Sequence, residues 1–225
     1  MKYNVTIKNL NNRVLSYEDG TRLDVILKDV QDQLPYTCYL SKLDNAYRAL
    51  THVISHDCSI EFLDLRNQEA WLVYQNSLVL IFIKAVHDLF GKKILVTVKN
   101  SLNKGIYITL TKKISEEELQ MLKKQMQKII EQDIPIVKEH FSKIAAMKLA
   151  EKLKLEESGK LLDSVTNIDD IEIYSLADET QIFYAPMVPS TGYVKLFDLD
   201  HYRNGIILGF PHPSNPNELA GYEEQ

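Results

Sequence analysis

His52 and His56, four residues apart with Cys58 two further on, form the nearest approach to a metal-ligand seed in this 225-residue chain. On a helix that interval puts two imidazoles on one face, where they would bind zinc. The surrounding run ALTHVISHDCSIEF falls instead where strands should turn, so its expected role is structural. His87, His140, His201 and His212 have no partner pattern. No GxxxxGK[ST], GxGxxG or GxSxG motif is present, and Gly91-Lys92-Lys93 lacks both the earlier glycine and the following hydroxyl. Ordinary P-loop handling of ATP is thereby excluded from these residues.

The next candidate is Pro186-Met187-Val188-Pro189-Ser190-Thr191-Gly192-Tyr193. Two prolines fix φ and one glycine is permissive, which is enough for a plain turn. The stretch also resembles the PHVPSTG segment of the editing domain of threonyl-tRNA synthetases, where the histidine belongs to a His/Cys metal constellation. Here that position is Met187, whose thioether is a weak ligand and no base. The resemblance extends to an SxxE helix start at Ser115, the long helix after it, and a strand expected at Tyr193–Phe197. It implies that Asn76 and Leu80 occupy the family's HxxxH positions and Phe183 its cysteine position. An amide, two hydrocarbons and a thioether cannot hold a hydrolytic zinc. The expectation is a retained fold with its metal chemistry lost. Gln75, Ser77, Lys104, Tyr184, Ser190, Thr191, Tyr193 and Lys195 would then line the old cleft and could hydrogen-bond a nucleotide, a tRNA end or an anionic metabolite. A filled, satisfied pocket is the competing expectation.

Those residues need elements to position them. Tyr3, Val5 and Ile7 alternate with polar residues as a half-buried strand does, and Val14–Tyr17 runs into a Glu18-Asp19-Gly20 turn. Thr21 stands where an N-cap should be, ahead of Leu23, Ile26, Leu27 and Val30 at helical spacing. Strands are expected at 39–43 and 59–64. This order, with EDGTRLDVILKDV at its centre, resembles the TGS domain, a β-grasp module. A long helix is expected from Glu69 to Phe90, closed by Gly91, with Trp71 in either a core or an interface. Strands at 93–98 and 105–111, a capped helix from Ser115, a helix over 145–155 and a strand over 171–175 complete the pattern. The fold class is therefore α+β: a TGS-like unit over 1–64, a larger editing-like unit over 65–212, and the start of a linker over 213–225.

Bulk composition narrows the partners. Hydrophobic residues make up 45% and charged residues 25% of the chain, enough for a substantial core. A net charge of −5 and a pI near 5.7 give no whole-protein support for tight nucleic-acid binding. The best local basic face is Lys112, Lys113, Lys123, Lys124 and Lys128, on or just before the capped helix. Two cysteines, no leader-like N-terminus and no apolar run of about 20 residues point to the cytoplasm.

The segments YQNSLVLIFIKAV, SLNKGIYITL, MVPSTGYVKLFDLDHY and FPHPSNPNELAGYEEQ resemble the N-terminal region of bacterial uridine-kinase-family nucleoside kinases. That likeness implies a kinase domain beyond Gln225 as this chain's partner, working with ATP and magnesium, and no cofactor or metal in the chain itself. Three readings stay open: an accessory or regulatory module of such a kinase, binding a small effector or forming a homo-oligomer; an RNA- or tRNA-binding module; and a metal-independent aminoacyl-tRNA deacylase using Asn76, Ser190 and Thr191 to position water. No membrane association is expected.

Overall fold

A computed structural model describes residues 1–102, 105–153, 171–183 and 185–219. The chain begins with β1 (Lys2–Ile7) and β2 (Arg13–Glu18), an antiparallel hairpin, followed by α1 (Leu23–Val30). Then come β3 (Cys38–Leu43), β4 (Ala46–Arg48) and β5 (Cys58–Asp64). The five strands form one sheet in the order β2-β1-β5-β3-β4, with β1 and β5 parallel at its centre. Leu23, Ile26, Leu27 and Val30 of α1 pack on Val5, Ile7, Ile60 and Phe62, all nearly solvent-free. This is the helix-on-sheet arrangement of a β-grasp. Thr21 does not cap α1: its hydroxyl donates to the Glu18 carbonyl at 2.7 Å, tightening the turn before the helix. Arg22 takes the N-cap position without a side-chain cap.

The other face of that sheet is covered over β3 and the end of β5. Tyr39, Leu40 and Leu63 belong to the core built around α2 (Gln68–Phe90), and the Tyr39 and Tyr74 rings meet edge to face at 5.1 Å. β3 is consequently buried on both faces along nearly its whole length, Ser41 included. An apolar core thus crosses the expected seam at residue 64.

Asn67 starts α2 by accepting from the N–H groups of Glu69 and Ala70, and Gly91, at φ +90°, ends it. The helix is 23 residues long, and its most apolar 18-residue window has a mean hydropathy of 1.2, so by length and composition alone it is long and apolar enough to cross a bilayer. Its most apolar window is 72% buried inside the protein, and the helix serves as the central post of the core. Trp71 belongs to that core: its indole N–H donates to the Pro211 carbonyl at 3.0 Å, and its ring packs on Phe210.

Around the post stand two small sheets and two helices. β6 (Val96–Leu102) and β7 (Gly105–Leu110) pair with β11 (Asp198–Tyr202) and β12 (Gly205–Gly209) in the order β11-β12-β7-β6. The first of these strands lies later than the expected 93–98: it starts at Val96, and a register shift between Val98 and Asn100 absorbs an irregularity so that pairing continues to Leu102. α3 (Glu116–Glu131) opens with the expected capping box, Glu118 N–H to Ser115 Oγ at 3.3 Å and Ser115 N–H to Glu118 Oε2 at 3.0 Å. β8 (Ile136–Phe141), β9 (Ile171–Leu176) and β10 (Glu179–Ile182) form the three-stranded sheet, with α4 (Lys143–Leu153) against it. No strand forms over Tyr193–Phe197. Thr191–Tyr193 is a 3₁₀ turn, and the chain pairs again only from Asp198.

Candidate functional site

Below α1 lies a cleft of about 1520 Å³, bounded by α1, the end of α3, β8 and the loop from Met187 to Leu196. Its α1 wall carries Arg22, Asp24 and Lys28. Lys138 and Tyr174 lie on the β-sheet side, and Ser190, Tyr193 and Lys195 come from the loop. Pro216 and Asn217, expected in a linker, also border it.

The loop is held in place by its own Ser-Thr-Gly. The Thr191 hydroxyl, fully buried, donates to the Ile129 carbonyl at 2.7 Å and accepts from the Ile134 N–H at 2.9 Å. Asp133, with φ at +48°, turns back so that Oδ1 accepts from the Ser190 hydroxyl and from the Gly192 N–H at 3.0 Å. Gly192 is required by this approach, because a Cβ there would sit 2.5 Å from Asp133 Oδ1. Ile136 N–H donates to the Pro189 carbonyl at 3.0 Å and ties β8 to the same loop. Sequence likeness singled out these residues as candidate ligand groups. Folding uses the Ser190 and Thr191 hydroxyls to clamp the end of α3.

Ser77 has a similar fate. Its buried hydroxyl donates to the Val73 carbonyl at 2.7 Å and accepts the Val188 N–H at 3.0 Å, so it pins the loop to α2 instead of facing a ligand. That bond sets the loop beside the helical turn between Asn76 and Leu80. Leu80 and Met187 are buried at 0% and 3% exposure in one apolar core, against which the half-buried Phe183 packs. Phe183 also meets the Tyr174 ring edge to face. Among the described residues no group of three His, Cys, Asp or Glu side chains is placed to hold a metal ion. Gln75 is half-buried, and its Oε1 has no hydrogen-bond partner among the described residues. Neither Gln75 nor Asn76 lines the cleft. Lys104 and Tyr184 lie outside the described residues.

The electrostatics of the cleft are uneven. Arg22 grips the buried Asp24 carboxylate with two bonds, Nε to Oδ1 at 3.0 Å and Nη2 to Oδ2 at 2.8 Å. Lys138 pairs with Glu172 at 2.8 Å. Lys28 and Lys195 are exposed and make no ion pair or hydrogen bond among the described residues. Burial pushes the Tyr193 phenol up to about 12, helped by the nearby Asp24 and Asp133 charges, so it stays neutral. Its ring packs against both cores.

The α3 basic face is weaker than its sequence suggests. Lys112 pairs with Glu118 at 2.6 Å and lies over the Phe90 ring, and Lys123 pairs with Asp198. Lys113, Lys124 and Lys128 are exposed. The His52/His56/Cys58 set is not a metal seed: His56 Nε2 meets Asp44 Oδ2 at 2.9 Å, while burial drives the Cys58 thiol up to about 11. Burial likewise drives Cys38 up to about 12, leaving two unreactive thiols. Sequence reasoning missed the α1 side of the cleft, Arg22, Asp24 and Lys28, and also Lys138. Nothing in their local pattern marks them, since residues 22–28 and 138 come together only as borders of the cleft.

No protein-family model matches the chain. Among curated proteins it is similar to the threonine–tRNA ligase of Symbiobacterium thermophilum, 26% identical over 188 residues covering 83% of this chain and 29% of the ligase. The ligase of Thermotoga neapolitana is 28% identical over 205 residues, covering 88% and 30% respectively. That of Aquifex aeolicus is 30% identical over 137 residues, covering 59% and 22%. The chain therefore spans under a third of the length of these relatives and is similar, over most of its own length, to part of a threonine–tRNA ligase.

Proposed function

We propose that this chain is an RNA-binding module, with tRNA as its partner, built on a synthetase-editing-like fold that no longer performs metal-dependent hydrolysis. The observation that carries the second half is the placement of Leu80 and Met187 deep in one apolar core, where the resembled family would place imidazoles. A hydrolytic zinc needs nitrogen, sulfur or carboxylate donors and an open position for water. A buried leucine offers no donor at all, and the neutral methionine thioether is a weak ligand that does not replace imidazole, thiolate or carboxylate. The likeness to threonine–tRNA ligases over most of the chain supports the RNA half.

The metal-independent deacylase reading loses its support, because the hydroxyls meant to position water are spent on Ile129, Ile134 and Asp133. The accessory-module reading of a nucleoside kinase rests on the likeness of four segments, and the relatives found favour the tRNA-related reading instead. In either case the small unit over 1–64, a TGS-like module in this reading, would work with the larger unit over 65–212, in the cytoplasm and without a cofactor of its own.

Equilibrium binding of uncharged tRNA, followed by fluorescence anisotropy across a salt series, tests the proposal. Binding that weakens linearly in log salt supports it. Absence of binding at about 50 mM salt, where phosphate contacts are strong, contradicts it.

A further inference from the structure

We propose that His87 and the charges around it form a pH-gated clasp, which holds the β9–β10 hairpin and the 91–95 segment against the end of α2 while the imidazole is doubly protonated. Lys84 pairs with Asp88 in its own helix and reaches Asp178, in the hairpin turn, at 3.1 Å. Lys92, just beyond the helix, meets the same carboxylate at 3.0 Å and donates to the Asp178 carbonyl at 2.7 Å. His87 Nδ1 lies 2.7 Å from Glu179 Oε2, and the Gln181 amide donates to Glu179 Oε1 at 2.8 Å. From α3 comes the neutral Gln125 amide, which donates to Asp88 at 3.0 Å. The carboxylates of Asp88, Asp178 and Glu179 thus face Lys84, Lys92 and His87, and these charges balance only while His87 is an imidazolium.

Both ring nitrogens of His87 address acceptors, Glu179 on one side and the Ile94 carbonyl at 3.0 Å on the other. A neutral ring keeps one N–H, so one acceptor must lose its donor when the proton leaves. Glu179 is only 4% exposed, and water cannot readily replace that charge partner. The position of His87 in the last turn of α2 favours a cation as well.

The hairpin turn itself is held under strain. Ala177, with φ at +53°, sits in the left-handed region without a glycine's freedom, a conformation that persists where neighbouring contacts impose it. Those contacts fall on the next two residues, Asp178 and Glu179. Lys92 and Lys84 hold the Asp178 carboxyl down to about 2, so the outer pairs do not titrate near neutrality. His87 is the group that does. Its hydrogen bond to Glu179 raises its pKa above the ordinary value, against burial and the Lys92 charge. The clasp is therefore complete below about pH 6.5 and loses an arm as pH rises through the folded value. β9 carries Tyr174 to the cleft, so loosening of the hairpin reaches one of the cleft's borders.

Hydrogen exchange of the full chain, read by mass spectrometry between about pH 6 and pH 8 and corrected for intrinsic exchange, tests the clasp. Peptides covering 91–95 and 176–182 should exchange faster than the α1 and β5 core. Their protection should fall several-fold as pH rises, on the scale of one net hydrogen bond. His87→Gln should abolish that fall. Lys92→Ala, at an exposed position, should speed exchange at every pH and leave the fall in place. Circular dichroism checks that both variants fold. The titration of His87 itself, followed by NMR in the parent, needs no variant and should have its midpoint above about 6.5. A midpoint at or below that value overturns the clasp. So does parent protection that ignores pH, or the same fall in His87→Gln. A hairpin that opens only together with the core also overturns it, because the effect is then one of global stability.

Discussion

The Ser77 hydroxyl on α2 accepts the Val188 backbone N–H at 3.0 Å, across 111 residues of chain, while donating to Val73 in its own helix. This one buried bond joins the helix and the loop that would carry the metal ligands in the resembled family. Ser77→Ala should leave the Val188 N–H buried and unpaired, lowering stability by about 1–3 kcal/mol. Urea denaturation reads this directly, and a variant as stable as the parent would remove the bond from the account.

Restoring a single ligand should not restore a site. Met187→His places an imidazole in the apolar core that holds Leu80 and Val188, and among the described residues no group of three His, Cys, Asp or Glu side chains is placed to hold a metal ion. The expected result is a loss of about 2 kcal/mol from burying a polar ring without a partner. Added zinc should give no compensating rise in melting temperature. Zinc-dependent stabilisation of this variant would mean that an unrecognised donor lies beside Met187.

Gly192 is the tightest steric requirement in the loop. A Cβ at that position falls 2.5 Å from Asp133 Oδ1 and 2.8 Å from its Cγ, so Gly192→Ala must push the carboxylate away from Ser190 and the residue 192 N–H. A loss of about 1–3 kcal/mol is expected, within the range for a substitution that breaks a local hydrogen-bond network. Asp133→Asn, which keeps the acceptor and tolerates positive φ, should be milder than Asp133→Ala.

Stability should also depend on His87. Its Nδ1 lies 2.7 Å from Glu179 Oε2 and its Nε2 3.0 Å from the Ile94 carbonyl, so both nitrogens face acceptors and the doubly protonated ring fits best. The hydrogen bond to Glu179 raises the His87 pKa above its ordinary value, against the opposing effect of burial. Because the folded value is the higher one, this contribution is complete below about pH 6.5, the unfolded value. It is lost as pH rises through the folded value. The parent should therefore lose stability over that range. Glu179→Gln should be less stable at low pH and should show a flatter profile on denaturation at a series of pH values.

Periodicity and capping made most elements legible. The α2 helix was readable from its repeating apolar faces, and α3 from Ser115 and Glu118, because both signals lie within a few residues of one another. Thr21 misled because a hydroxyl can serve the preceding turn as well as the following helix. Tyr193–Phe197 alternates like a strand, but its surroundings supply a tyrosine wedge and a 3₁₀ turn in place of a pairing partner. The clamp on Asp133 and the α1 side of the cleft were illegible for one reason. Each joins residues far apart in sequence through packing, and no local pattern records that.

The central claim, RNA recognition without hydrolysis, is tested most directly by incubating the chain with labelled, mischarged aminoacyl-tRNA, with and without zinc. Complex formation and ester cleavage are followed in the same samples. The account predicts that the tRNA is bound and that its ester persists at the uncatalysed rate in both conditions. Ester loss above that rate, or no complex at low salt, would contradict it.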